Sequence, residues 1–124
     1  MKDPANPVCR TISTLLSRIG DKWTVLVVSA LADGSKRFNQ LRREIPSVSQ
    51  RMLTLTLRNL ERDGLVSRKV TPSIPPRVDY ALTELGHSLQ EPVLALERWA
   101  LGNVELIHAA QARFDAAHDQ AQAA

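Results

Sequence analysis

The 124-residue chain has few cysteines, few aromatic residues and no long apolar runs. With Cys9 as the only cysteine, neither an intramolecular disulfide nor a zinc site made of several cysteines can form. Aromatic residues are 4% of the chain, which disfavours modules that stack many bases on aromatic rings. No apolar run approaches the roughly 18 residues that a membrane-spanning helix needs, and residues 1–10 lack a signal-peptide pattern. We therefore expect a cytoplasmic protein without a membrane partner.

Motifs typical of enzymes are also missing from the sequence. The histidines His87, His108 and His118 are scattered, and there is no glycine-rich phosphate loop. We therefore expect neither an enzyme nor a cofactor or metal site. The length favours one domain, predicted over residues 1–115, followed by a frayed Ala/Gln-rich tail over residues 116–124.

Positive charge is concentrated in the middle of the chain. The segment Lys36–Arg77 contains ten basic and three acidic residues, a net charge of +7, whereas the remainder carries −4. A basic segment between neutral-to-acidic flanks is typical of a surface that binds a polyanion. The alternative is a solvated basic face without a partner.

The spacing of apolar residues predicts a helical protein with one short hairpin. Helices are predicted over residues 11–19, 22–31, 37–45 and 50–62, with Asp21 capping the second and Ser47 or Ser49 the fourth. Residues 65–71 and 78–82 are predicted strands on either side of a proline-rich loop. Further helices follow from Thr83, with a kink or break expected at Pro92 and an interruption at residues 102–103. This order, mainly α with a small β-hairpin wing, predicts a winged helix-turn-helix.

The helix predicted over residues 50–62 has two chemically different faces. Leu53, Leu57 and Leu60 form an apolar face suited to a protein core. The opposite face suits the DNA major groove, because arginine pairs with guanine, glutamine with adenine and an apolar group with the thymine methyl. We predict that the residues reading bases are Gln50, Arg51, Thr54, Leu55 and Arg58. A phosphate contact for Arg58 and incidental exposure of Leu55 remain alternatives.

Further polar and basic residues flank this helix in the sequence. Contacts to the DNA backbone or from the wing are predicted for Lys36, Arg37, Arg42, Arg43, Ser49, Lys69 and Arg77. Arg77, at the end of the proline-rich loop, suits either a phosphate or a narrow minor groove.

Six segments carry a family resemblance, namely Ile19–Thr24, Arg37–Arg43, Ser49–Thr54, Leu57–Val66, Pro75–Tyr80 and Leu82–Gly86. In this order they resemble the HxlR-type winged helix-turn-helix transcriptional regulators, a branch near the MarR-like proteins. The resemblance covers about residues 6–99. It implies a homodimeric, sequence-specific DNA-binding regulator, often a repressor, that dimerises through its first and C-terminal helices. A two-fold dimer implies an inverted-repeat operator on double-stranded DNA, and a small-molecule or redox effector is left open.

Two positions depart from the pattern of that family. Many relatives have a cysteine directly before a Pro-Val or Pro-Ile pair, and in some of them it senses oxidants or electrophiles, but here that position is Asn6. Cys9 is a candidate redox residue three positions later, with a buried hydrophobic role as the alternative. Leu55 stands where relatives usually have a polar residue, which indicates a different operator.

The sequence also allows two other hypotheses for the partner. The main alternative is a winged helix that binds protein and not DNA, although the clustered arginines argue against it. RNA is a weaker candidate because the A-form major groove is too narrow for this helix. Dimerisation is also predicted from apolar side chains that exceed what a small core can cover, namely Leu96, Trp99, Leu101, Ile107 and Phe114.

Overall fold

The computed structural model describes residues 6–123, so the first five residues of the predicted domain and the last residue of the predicted tail lie outside the described residues. The elements in chain order are α1 (Pro7–Ile19), α2 (Lys22–Ala30), β1 (Lys36–Arg37), α3 (Phe38–Glu44), α4 (Gln50–Arg62), β2 (Val66–Thr71), β3 (Arg77–Leu82), α5 (Glu84–Ser88) and α6 (Gln90–Ala123). A mostly helical chain with one small antiparallel sheet confirms the predicted fold class. No helix within residues 6–123 is long and apolar enough to cross a membrane.

Side-chain caps begin four of the helices. The side-chain oxygens of Asp21, Ser49 and Thr83 accept backbone N–H groups of α2, α4 and α5 at 2.8, 3.0 and 3.1 Å. Asn6 caps α1 in the same way at 2.8 Å, and Pro7 occupies the first helical position, where its missing N–H costs no hydrogen bond. This cap explains why α1 begins four residues before the start that apolar spacing predicts.

The sheet has three strands, in the order β1-β3-β2, and not the two that the sequence predicts. The additional strand β1 pairs Lys36 with Tyr80 and Arg37 with Asp79. Two residues cannot display an alternating pattern, and their partner lies more than forty positions away, so sequence periodicity cannot detect this strand. β2 and β3 form the predicted hairpin, whose outermost pair is Thr71 and Arg77.

The last helix corrects one prediction and refines another. α6 is continuous through Gly102 and Asn103, where an interruption was predicted. Good helix formers surround this pair, and the Asn103 side-chain amide donates to the Trp99 carbonyl oxygen at 2.8 Å, so the cost of about 1 kcal/mol for one glycine does not end the helix. The break predicted near Pro92 falls between α5 and α6, which leaves Pro92 in the first turn of α6, where proline is tolerated.

The chain divides into two compact units between Gln90 and Glu91. The single domain over residues 1–115 and the fraying of the tail remain predictions, and α6 runs through the tail as far as Ala123. The core of the first unit is aliphatic, as expected from the low aromatic content. Its most deeply buried side chains are Val27, Val28, Leu31, Leu41, Leu53, Leu57 and Leu60.

Candidate nucleic-acid interface

The core fixes the orientation of α4. Leu53, Leu57 and Leu60 are at most 2% exposed and pack in the core cluster. Thr56 is also buried, and its hydroxyl donates to the Met52 carbonyl oxygen at 2.8 Å, so this polar group is satisfied inside the helix. Because one face of α4 is fully occupied by the core, the opposite face must point outward.

Both ends of α4 are closed by local hydrogen bonds. Ser49 caps the N-terminus, and Gly64 follows the C-terminus with a φ of 78°. The Leu65 N–H donates to the Leu60 carbonyl oxygen at 2.9 Å, which is the Schellman arrangement that a glycine in the left-handed region permits. The predicted bounds of this helix, residues 50–62, are confirmed at both ends.

The structure brings the five predicted base-reading side chains together. One open depression on the outer face of α4 is lined by Gln50, Arg51, Thr54, Leu55 and Arg58. All five are exposed, and Leu55 keeps 50% of its surface accessible. The Thr54 hydroxyl donates to the Gln50 carbonyl oxygen at 2.8 Å, which orients it along the helix. The face therefore combines two guanidinium groups, an amide and one apolar group.

The strands add cations on both faces of the sheet. Arg68 pairs with Tyr80 and shares a face with buried Val66, so it lies on the side that packs toward α4. Arg68 and Tyr80 line a second depression together with Arg58 and Glu61 of α4. Neither Arg68 nor Tyr80 is among the predicted site residues, because the sequence does not show which face of the hairpin packs against α4.

The other face of the sheet presents cations around one carboxylate. Asp79 pairs with Arg37 on β1 and with Lys69 on β2, so these three residues share a face. The Arg77 guanidinium lies 3.1 Å from the Asp79 carboxylate and is still 53% exposed. Asp79 therefore orients one cation without removing it from solvent.

A third depression joins α3 to the hairpin. Arg37 and Arg43 line it from the α3 side, and Pro76 and Arg77 line it from the wing. Two polar residues in the first turn of α3, Asn39 and Gln40, line it as well and were not predicted. Arg42, on the same helix, is exposed.

Lys36 differs from the other residues predicted to contact the DNA backbone, because its ammonium group is paired with two carboxylates. Its ammonium lies 2.6 Å from the Glu44 carboxylate and 3.3 Å from that of Asp33, and its side chain is only 11% exposed. The hydrogen bond to Glu44, with a smaller contribution from Asp33, raises the pKa of Lys36 above its ordinary value. Lys36 is therefore engaged in fixing the start of β1 to α3.

The candidate redox residue lies on α1. Cys9 is 8% exposed and is the buried residue of that helix. Asn6, which stands at the position where many relatives have cysteine, is the N-cap of the same helix. At the other end of α1, the Arg18 guanidinium forms an ion pair with Asp63, the C-cap residue of α4. This ion pair links α1 to α4.

Comparisons with known proteins agree with this arrangement. The family model described as HxlR-like helix-turn-helix matches residues 18–108. The HTH-type transcriptional regulator YdeP of Bacillus subtilis (strain 168) is 47% identical over 88 residues, which cover 71% of this chain and 69% of YdeP. The structure of the redox regulator HypR in its reduced form has a TM-score of 0.72 at 43% identity, covering 80% of this chain and 98% of HypR. A structure assigned to the MarR family from Enterococcus faecalis V583 has a TM-score of 0.65 at 34% identity, covering 91% of this chain and 99% of that one.

Proposed function

Because the chain belongs to the HxlR-like helix-turn-helix family of transcriptional regulators, we propose that it is a cytoplasmic, homodimeric repressor that binds an inverted-repeat operator in double-stranded DNA. The observation that carries this proposal is the outer face of α4. A capped helix held by buried leucines presents Gln50, Arg51, Thr54, Leu55 and Arg58 as one exposed surface. A helix is about 10–12 Å across with its side chains, which matches the major-groove width of about 12 Å.

Each outward residue type on α4 has a matching base edge. Arg51 is in the N-terminal turn, the part of a recognition helix that reaches base edges, and its planar guanidinium suits the two acceptors of guanine. Gln50 suits adenine, and exposed Leu55 suits the thymine methyl. Arg58 lies further along the helix and lines one depression with Arg68, which favours a contact near the groove wall.

The surrounding residues suit phosphate contacts that set the position of the helix. One depression between α3 and the wing is lined by Arg37, Arg43 and Arg77. Arg42 on α3 and Lys69 on β2 are also exposed. Ser49 uses its oxygen as the helix cap, and its hydroxyl can still donate to a phosphate. Lys36 is the weakest candidate of this group, because its ammonium is already bound by two carboxylates.

Exposed apolar side chains support the homodimer. On α1 they are Val8, Leu15 and Leu16. On α6 they are Leu94, Leu96, Trp99, Leu101, Val104, Leu106, Ile107 and Phe114. Large apolar surfaces on a helix of 34 residues, about 50 Å long, are typical of subunit interfaces. A two-fold dimer would place two copies of α4 about one DNA turn apart, which is the reason for expecting an inverted repeat.

The test is selection of bound duplexes from a random pool, at two salt concentrations, with wild type, Arg51→Ala and Arg51→Lys. We expect wild type to select an inverted repeat. Both variants should lose the preference at one base pair per half-site, a cost of roughly 1–3 kcal/mol. Arg51→Lys is the matched control because it keeps the charge but not the two-pronged geometry, so its salt dependence should stay that of wild type.

Selection results of two kinds would contradict the proposal. Binding that ignores sequence and weakens uniformly with salt would leave only an electrostatic surface. Absence of DNA binding would favour the alternative of a protein-interaction module.

The homodimer has its own test. Leu101→Asp places a charge on an exposed side chain and should yield monomers in analytical ultracentrifugation. If Leu101→Asp remained dimeric, α6 would not be the main contact.

A thiol-based switch is a second candidate, favoured by the likeness to HypR, a redox regulator solved in reduced and oxidised forms. Cys9 is the residue available for it in this sequence. The experiment compares operator affinity of wild type and Cys9→Ser before and after a thiol oxidant. A change confined to wild type supports the switch, and equal responses of the two proteins contradict it.

A further inference from the structure

The tip of the wing carries a fully exposed apolar side chain. Ile74 has a relative exposure of 103%, the highest among the large hydrophobic residues that the structure describes. It lies beyond the outermost strand pair, Thr71 with Arg77, in a loop that contains three prolines. Its side chain therefore makes no contribution to the core and invites a different explanation.

The loop around Ile74 is held by its own hydrogen bonds. The Ser73 N–H donates to the Thr71 carbonyl oxygen at 2.9 Å, and the Ser73 hydroxyl donates to the Pro75 carbonyl oxygen at 2.8 Å. The neighbouring prolines have no N–H to satisfy and restrict the backbone. Ile74 is therefore presented outward by a preorganised loop, so little further ordering is needed when it binds.

The surface that leads to Ile74 is basic, which indicates the kind of partner. Arg68 shares a depression with Arg58 of α4, and Arg77 shares another with Arg43 of α3. The wing is thus continuous with the proposed DNA-binding face on both sides. A partner that contacts Ile74 must also accommodate these cations, and this favours DNA over an apolar protein groove.

The length of the wing matches the spacing of DNA grooves. Six residue steps lead from Arg68, beside α4, to Ile74. At about 3.3 Å per residue they span at most roughly 20 Å. Major and minor grooves alternate every half turn, about 17 Å along the duplex. With α4 in a major groove, Ile74 can therefore reach the adjacent minor groove.

We propose that Ile74 is an apolar minor-groove contact whose side chain packs against a base step flanking each half-site and favours pyrimidine–purine steps. Apolar side chains that enter the minor groove act by partly unstacking a step, and TA and CA steps unstack most readily. This inference rests on the proposed function, because it requires α4 to occupy the major groove. It assigns a role in specificity to a residue that carries no charge and no hydrogen-bonding group.

The experiment measures affinity of the full chain for duplexes that carry the selected half-sites with either a TA or an AA step at the flanking minor-groove positions. Each fully buried methylene contributes a factor of about four in affinity. Ile74→Ala removes three carbons, so at half burial we expect about eightfold weaker binding to the TA duplex and a smaller loss on the AA duplex. The loss should be the same at two salt concentrations, because an apolar contact releases no counterions.

Two control variants define the comparison. Lys69→Ala removes a wing cation and should flatten the salt dependence by about one unit of slope. Leu85→Ala also truncates an exposed aliphatic side chain, but on α5, next to the end of β3 opposite the wing tip, and should bind as wild type does. The fluorescence of a 2-aminopurine base at the flanking TA step should increase when wild type binds, because the step is partly unstacked, and should not increase with Ile74→Ala.

The outcomes separate this inference from the proposed function. Equal affinity of wild type and Ile74→Ala on both duplexes, with sequence selection intact, overturns the role of Ile74 alone. A salt-dependent loss in Ile74→Ala also overturns it, because the effect would then be electrostatic. Failure of wild type to select any sequence overturns both the inference and the function on which it rests.

Discussion

Replacing Gly86 with alanine tests how the wing is joined to the helices. Gly86 lies in α5, and a Cβ built on it would be 2.0 Å from the Leu65 carbonyl oxygen. Ordinary contact begins near 3.4 Å, so α5 and the start of the hairpin would have to separate by about 1.4 Å. The sequence marks this glycine only as part of a family segment, and the close approach gives the physical reason for it.

The magnitude follows from the contacts that such a separation would disturb. The same Leu65 carbonyl oxygen accepts the Thr83 N–H at 3.0 Å, and the Thr83 hydroxyl donates to the Gly64 carbonyl oxygen at 2.6 Å. Loss of a buried backbone hydrogen bond costs about 1–3 kcal/mol, and overpacking typically costs a further 1–3 kcal/mol. The helix propensity of alanine returns about 1 kcal/mol. We expect a net loss of roughly 1–5 kcal/mol in the free energy of unfolding.

Urea denaturation followed by circular dichroism measures this change as a lower midpoint at an unchanged slope. Gly20→Ala is the matched control, because Gly20 has a φ of −77° and its nearest atom to an added Cβ is at 3.4 Å. That variant should lie within about 0.5 kcal/mol of wild type or be slightly more stable. If Gly86→Ala proved as stable as Gly20→Ala, the close packing of α5 on Leu65 would be refuted as a constraint.

Three further predictions concern the helix caps, one ion pair and the last helix. Ser49→Ala should lower the free energy of unfolding by about 1 kcal/mol, measured by thermal denaturation. Ser49→Asp should keep the cap but weaken DNA binding, because its negative charge repels phosphate. Equal DNA affinity of the two variants would contradict the placement of this helix end against phosphate. The raised pKa of Lys36 means that its ion pair contributes fully below the ordinary lysine pKa and is lost as pH rises through the raised one, so alkaline titration of stability should show a component that Lys36→Met lacks. An unchanged alkaline profile in Lys36→Met would contradict this. Gly102→Ala should stabilise α6 by about 1 kcal/mol, because the helix is continuous there and nothing lies within 4 Å of the added Cβ. The measurement is amide hydrogen exchange around residue 102, which should become slower. Faster exchange would indicate the interruption that the sequence predicts.

Features that depend on residues close together in the chain could be predicted from the sequence. Asp21, Ser49 and Thr83 each cap a helix within three positions, and the turn at Asp63-Gly64 ends α4 where predicted. The split of α4 into a buried leucine face and an exposed polar face follows from its 3.6-residue period. These features are readable because the interacting atoms are only a few bonds apart along the chain.

Local sequence patterns predict helix ends less well where glycine or proline competes with its surroundings. Gly102 predicts an interruption, but the neighbouring helix formers and the Asn103 hydrogen bond outweigh it. A helix ends near Pro92 as predicted, but the end lies before Pro92. The proline ring clashes with the carbonyl group four residues earlier, whereas Pro92 itself fits the first turn of the next helix.

Which charged groups lie together depends on the packing of distant segments and could not be predicted from the sequence. Lys36 is closed off by Asp33 and Glu44, although its sequence neighbourhood resembles that of exposed Arg37. Arg68 and Arg58 line the same depression because the strand phase turns Arg68 toward α4. β1 exists because Lys36 and Arg37 pair with a strand more than forty residues away. Such contacts depend on distances through space that no local periodicity encodes, so the sequence supplied the residue types of the interface and the fold supplied their arrangement.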